Sequence, residues 1–169
     1  LDMNETTAEV VTVLKKHDFR VGGATFDGGT ASALHWGITD AGGNTAMLEF
    51  DNGEVRIYEG RDLRAMTNDP VWPKMQAIIA YWDRVGGKNM LPGTVASADR
   101  CVRADFFVRH VEKTADAQLG MSIARSVLVN SSVPYTYQIE SEPNLSSTQW
   151  RSYADLRDRR YYFEIVTNM

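Results

Sequence analysis

Cysteine, histidine and long apolar runs are all scarce in this sequence, and each shortage removes a class of protein. The single cysteine, Cys101, leaves no internal disulfide framework possible. The three histidines, His17, His35 and His110, lie far apart, and none has a partner at ligand spacing. With no HExxH, CxxC or acid-rich calcium loop, the sequence implies no metal site and no cofactor. No stretch approaches the length of a membrane span, about 20 apolar residues. Positive charge is thin as well: 18 Lys and Arg against 22 Asp and Glu give a net charge of −4. The densest basic run, Arg157 to Arg160, is interrupted by Asp158. No patch can therefore neutralise a row of phosphates, and nucleic acid is not an expected partner.

What is present is the material of a core. Of 169 residues, 43% are hydrophobic, enough for one soluble domain, and no repeat, low-complexity tract or linker interrupts them. Thr6-Thr-Ala-Glu9 predicts a capping box, followed by a helix whose apolar face is Val10, Val11, Val13 and Leu14 and whose end is Lys15-Lys16. The segment Gly22 to Gly29 lacks both the GKS/T ending and the GxGxxG spacing of a phosphate cradle, and reads as a surface loop. From Leu34 the apolar period becomes two. Segments around Leu34–Thr39, Ala46–Phe50 and Val55–Tyr58, joined by turns at Asp40–Asn44 and Asp51–Gly53, predict an antiparallel meander.

Leu63–Met66 predicts a fourth, short strand running into Thr67-Asn68. Helices follow over Pro70–Val85, stopped by Gly86-Gly87, then from a Ser97 cap to about Lys113, and over Asp116–Val129. A hairpin, Gln149–Ala154 with Arg160–Val166, closes the chain. Strands, then helices, then strands, without βαβ alternation, describe a layered α+β domain.

Few residues stand out as chemistry. Cys101 follows Arg100 near a helix start, where a thiol can be acidified, but beside Val102 a small buried hydrophobe is the favoured reading. Ser97, Ser131 and Ser132 have no G-x-S-x-G setting. His35 is read as a solvated or satisfied histidine, and Trp36, Trp72, Trp82 and Trp150 as core. Asn68 is the exception. Pro70 biases Asp69 away from the helical region, so the amide of Asn68 sits at a strand-to-helix junction. There it serves either as an Asx turn or cap, or as a donor aimed into a cleft, the chemistry of an oxyanion hole.

The segments MTNDPVWPKM, LPGTVASADRCVRADFF and STQWRSYADLRDRRYYFE occur in that order, accompanied by LHWGITDAGGNTAMLEF and LDMNETTAEVV. Together they resemble the choloylglycine hydrolase family, the bile salt hydrolases and penicillin V acylases among the N-terminal-nucleophile hydrolases, over essentially the whole chain. The resemblance implies an αββα sandwich, two antiparallel sheets between helical layers. It also implies cysteine-dependent hydrolysis of a small-molecule amide, a conjugated bile salt or a penicillin V-like compound, through a thioester.

By motif, Asn68 matches the asparagine whose amide completes the family's oxyanion hole, and Arg100 the arginine beside the nucleophile. Phe26 falls in the segment that lines the substrate pocket. Two departures accompany these matches: Asp69 replaces a small polar residue, and Cys101 stands where the family has an aromatic.

The family's nucleophile is an N-terminal cysteine whose own α-amine serves as base. Cys101 cannot take that part, because its nitrogen lies within a peptide bond. The resemblance therefore implies that the chain is an internal piece, about the second half, of one larger acylase domain, inactive by itself and partnered by the remainder of the enzyme. It further implies a homo-oligomer, a tetramer. The short spacing from Asn68 to Arg100 is similar to the Gram-negative branch, which leaves periplasm or cytoplasm open and favours the periplasm slightly. A second reading stays open: a non-catalytic binding or assembly domain on the same scaffold.

Overall fold

The computed structural model of the chain describes residues 4–16, 35–51, 53–140 and 147–167, and the backbone alone at 25–26 and 30–31. The chain divides into two compact units, Leu1–Ala77 and Ile78–Met169. In the first unit, helix α1 spans Thr7–Lys16. Its capping box forms as the sequence predicts: Glu9 N–H donates to Thr6 Oγ1 at 3.2 Å, and Thr6 N–H donates to the Glu9 carboxylate at 3.0 Å. Residues 25–26 (β1) and 30–31 (β2) form a two-residue antiparallel pair.

Strands β3 (Trp36–Thr39), β4 (Thr45–Asp51) and β5 (Glu54–Glu59) form the predicted meander, antiparallel throughout, with β4 in the centre. Ala46, Met47, Leu48 and Glu49 of β4 are buried in succession, so both faces of the central strand are covered. Val10 and Val11 of α1 join that core, and α1 packs on β4. The helix is tied to the sheet at its first turn. Asp40, in the β3–β4 turn, accepts from the N–H of Thr7 at 3.0 Å and of Asn44 at 3.1 Å, while Thr7 Oγ1 donates to the Asn44 carbonyl.

The expected fourth strand does not form. Residues 63–67 are irregular, since no neighbouring strand among the described residues offers them a ladder. Helix α2 then spans Trp72–Val85 and stops at Gly86-Gly87 as predicted. A side chain at Gly86 is impossible without moving the backbone, because its Cβ would lie 2.1 Å from the Met90 carbonyl oxygen.

The second unit contains α3 (Ser97–His110), α4 (Ala117–Asn130) and the hairpin β6 (Trp150–Asp155) with β7 (Arg160–Ile165). Helix α3 packs on α4, and α4 on β6. The Ser97 cap is a correction: Ala96 holds the capping position with no side-chain bond, and the helix ends at His110 rather than Lys113. At α4 the cap is Asp116, which accepts from the N–H of Leu119 at 2.9 Å. Of the four tryptophans expected in the core, Trp72 is buried, whereas Trp36 and Trp150 are exposed, Trp150 at 59%.

One carboxylate gathers the hairpin onto α4. Glu164 of β7 accepts from Arg125 of α4 through Nε at 3.0 Å and an Nη at 2.8 Å, from Arg151 at 3.2 Å and from the Tyr153 hydroxyl at 2.6 Å. The bonds from Arg125 and then Tyr153 hold its carboxyl down at about 2. In the first unit the bonds from Thr7 and Asn44 likewise hold Asp40 at about 2. Both values are depressed, so these contributions are complete above the ordinary carboxylate range and vanish as pH falls through about 2. The thermal midpoint should therefore decline as pH drops from about 4.5 to about 2. Glu164→Gln should lower the midpoint at neutral pH and flatten that acid limb. A variant whose midpoint tracks the parent at every pH would show that the cluster contributes nothing.

Candidate active site

The loop that carries Asn68 runs from Leu63 into α2 and is exposed at Asn68 and Asp69, with a cis peptide between Asp69 and Pro70. It is held to one face of the meander at two points. Register pairs Gly37 with Met47, and Met66 lies over Gly37 so closely that a Cβ there would stand 3.2 Å from Met66 Cε. Beyond Asn68, the N–H of Trp72 donates to both oxygens of Glu49, at 2.8 and 2.9 Å. Asn68 lies between these two anchors.

Accounting for the donors at the start of α2 decides what Asn68 does not do. Pro73 has no N–H, and the N–H groups of Lys74 and Met75 both donate to the Val71 carbonyl, at 3.0 and 3.1 Å. The remaining donor, Trp72 N–H, is taken by Glu49. The helix start is complete without the side chain of Asn68.

Glu49 is the residue that sequence reasoning missed. It is 1% exposed, within the most buried strand. Its signal was present as the one charge inside the apolar run Ala46-Met-Leu-Glu-Phe50. His35 departs from the expectation at one ring nitrogen, Nδ1, which is buried without a hydrogen bond. Its side chain is buried, with Nδ1 3.5 Å from a Glu49 oxygen and no hydrogen bond. The register explains the approach: Trp36 pairs with Leu48, so one residue earlier His35 faces Glu49. The carboxylate is also felt on β5, where burial and then the charge of Glu49 push the Tyr58 hydroxyl upward.

In the second unit, Arg100 lies one turn into α3. Its Nε donates to the Val95 carbonyl at 3.0 Å, which folds the guanidinium back along the segment preceding the helix. That segment is braced from both sides. Thr94 donates through N–H and hydroxyl to Asp99, at 3.2 and 2.6 Å. Arg103 donates to the carbonyls of Pro92 and Thr94, each at 2.8 Å, and of Asn130 at 3.1 Å. Cys101 is fully buried, the core placement its sequence context favours. Phe26 belongs to β1, but its side chain lies outside the described residues. Asn68 and Arg100 stand in different compact units, and each is placed within its own. Among the described residues no group of three or more His, Cys, Asp or Glu converges as a metal site, and no helix is long and apolar enough to cross a membrane.

The fold of the chain is shared with solved structures. A penicillin V acylase from Agrobacterium tumefaciens superposes with a TM-score of 0.82 at 36% identity, covering 95% of this chain and 48% of that one. A conjugated bile acid hydrolase from Clostridium perfringens matches with a TM-score of 0.72 at 19% identity, over 96% of this chain and 55% of that one. The fold is thus the α+β sandwich of the N-terminal-nucleophile hydrolases. In sequence, a penicillin V acylase from Pectobacterium atrosepticum is 34% identical over 177 residues, covering 97% of this chain and 47% of the relative. The chain belongs to the choloylglycine hydrolase family of linear amide C–N hydrolases, whose pattern it matches over residues 1–169. It spans about half the length of the relatives it matches.

Arg103, within the segment LPGTVASADRCVRADFF, was another residue the sequence did not single out. Partial burial lowers its pKa, opposed by the charge of Asp99, yet the group stays a cation with its fork spread over backbone carbonyls. Lysine cannot reproduce that fork. Arg103→Lys should lower unfolding stability by about 1–3 kcal/mol, read from denaturant melts at constant slope. An unchanged midpoint would mean that the segment carrying residues 92–96 holds its position without Arg103.

Proposed function

We propose that this chain forms part of a cysteine-dependent amidase that cleaves a small-molecule linear amide, with the nucleophilic cysteine supplied from outside these 169 residues. In this reading the thiolate attacks the amide carbonyl carbon, and the carbonyl oxygen becomes an oxyanion that accepts a hydrogen bond from the Asn68 amide. The C–N bond breaks, the amine leaves with a proton, and water cleaves the thioester to release the carboxylic acid and restore the thiol. Arg100 stands beside the thiol and favours its ionised form, its direction set by the bond to Val95. Phe26 contributes an apolar wall to the substrate pocket, a role that rests on the family resemblance. The named activities of the relatives, on penicillin V and on conjugated bile acids, set the substrate class: an acyl group with an apolar body joined to an amine through an amide. Further copies of the same chain, assembled as a tetramer, complete the proposal.

The observation that carries this reading is the donor account at α2. An asparagine placed before a helix ordinarily caps it. Here Glu49 has already taken the open donor, and Asn68 is exposed. Its amide is left for a ligand.

In the intact enzyme, Asn68→Ala should cut kcat by about 10²–10³ with little change in KM, the loss expected for an oxyanion donor. Steady-state hydrolysis of penicillin V and glycocholate measures it. Turnover within a few-fold of the parent would remove Asn68 from the chemistry.

A further inference from the structure

We propose that Glu49 is a positioning residue for the reaction: its buried carboxylate fixes the loop that presents Asn68. The proposal rests on the oxyanion reading of Asn68 and adds what holds that donor in place.

A carboxylate is almost never fully buried unless it is paired, because losing water costs several kcal/mol. Glu49 is buried without the pairing its neighbours offer. Register places Arg56 directly opposite on β5, yet the Arg56 guanidinium turns to Asp51 at 3.3 Å and Glu54 at 3.6 Å. His35 approaches to 3.5 Å without a hydrogen bond. What the carboxylate does hold is the N–H of Trp72, shared by both oxygens. The helix start it faces carries partial positive charge, which favours an anion there.

The consequence is geometric. Residues 66 and 72 are both fixed on the same face of the meander, Met66 over Gly37 and Trp72 on Glu49. Two of the strand positions involved, Gly37 and Glu49, lie on adjacent strands of that sheet. The short, irregular stretch between the anchors contains Asn68 and Pro70; Asn68 and Asp69 are exposed, and Thr67, Pro70 and Val71 are half-buried. The bond from Trp72 to Glu49 fixes where that stretch enters α2, four residues beyond Asn68. A donor displaced by about 1 Å from its productive place forfeits about 10²-fold in rate.

The test uses the intact enzyme and whichever of penicillin V and glycocholate the parent hydrolyses. Glu49→Gln is nearly isosteric, but it replaces one acceptor oxygen by an NH₂ group that faces the Trp72 N–H. Its kcat should fall about tenfold or more, with KM held within about threefold, because the loss concerns a group used in the transition state. In an Asn68→Ala background the same change should cost less than about threefold, since the donor it positions is already gone. Gly37→Ala, which pushes on the other anchor, should produce a smaller loss of the same kind and serves if Glu49→Gln does not fold.

Folded Glu49→Gln with parental kcat, or losses that multiply in the double variant, would overturn the positioning role while leaving Asn68 a donor. If Asn68→Ala alone leaves kcat intact, the oxyanion reading fails and this role fails with it.

Discussion

A helix start resting on a buried carboxylate is the contact around which the first half of this chain is arranged. Glu49 lies in the central strand β4, and the N–H of Trp72 is drawn down onto it from the end of an irregular loop. The same device recurs at α1, where Asp40 from the β3–β4 turn takes the N–H of Thr7. In both cases the sheet supplies the acceptor that the helix lacks, and the partial charge of the helix terminus favours the carboxylate. The two sites differ in burial. Asp40 sits in a partly exposed turn, whereas Glu49 is enclosed.

The second unit uses cations where the first uses carboxylates. Arg103 gathers three backbone carbonyls from the segment before α3 and the end of α4. Arg125 and Arg151 converge from α4 and β6 on Glu164 of β7. Arg109 links Asp105 of α3 to Asp83 of α2, at 2.8 and 2.7 Å. Apart from the Arg109–Asp105 pair within α3, each contact is a charged hydrogen bond between two elements. Arg100 shares this framework, because the segment it folds against is the one Arg103 and Asp99 brace.

Local chemistry was legible from the residues alone. The capping box Thr6–Glu9 needs nothing beyond its own four residues, and the Asp40–Asn44 turn and the Gly86-Gly87 stop are equally self-contained. Alternation of period two located β3, β4 and β5 because a half-buried meander demands it. What failed depended on neighbours distant in sequence. Leu63–Met66 has strand-like residues but meets no ladder among the described residues, and the hydroxyl of Ser97 yields its place to Ala96. Trp150 and Trp36 look like core until the positions around them are known. At the site, Asn68 was visible as a junction residue, yet composition could not choose between cap and donor. Whether the Trp72 N–H is left for a cap depends on Glu49, which lies on a strand far away in sequence.

The central claim is that Asn68 offers its amide to a developing oxyanion from a loop held by Glu49. The most direct measurement is a crystal structure of the intact enzyme bound to a tetrahedral transition-state mimic. The account predicts the Asn68 side-chain nitrogen about 2.7–3.1 Å from the mimic's oxygen, the range for an oxyanion donor. It also predicts the Trp72 N–H still on the Glu49 carboxylate. An oxygen held by other donors, with the Asn68 amide turned to solvent or onto the start of α2, would contradict it.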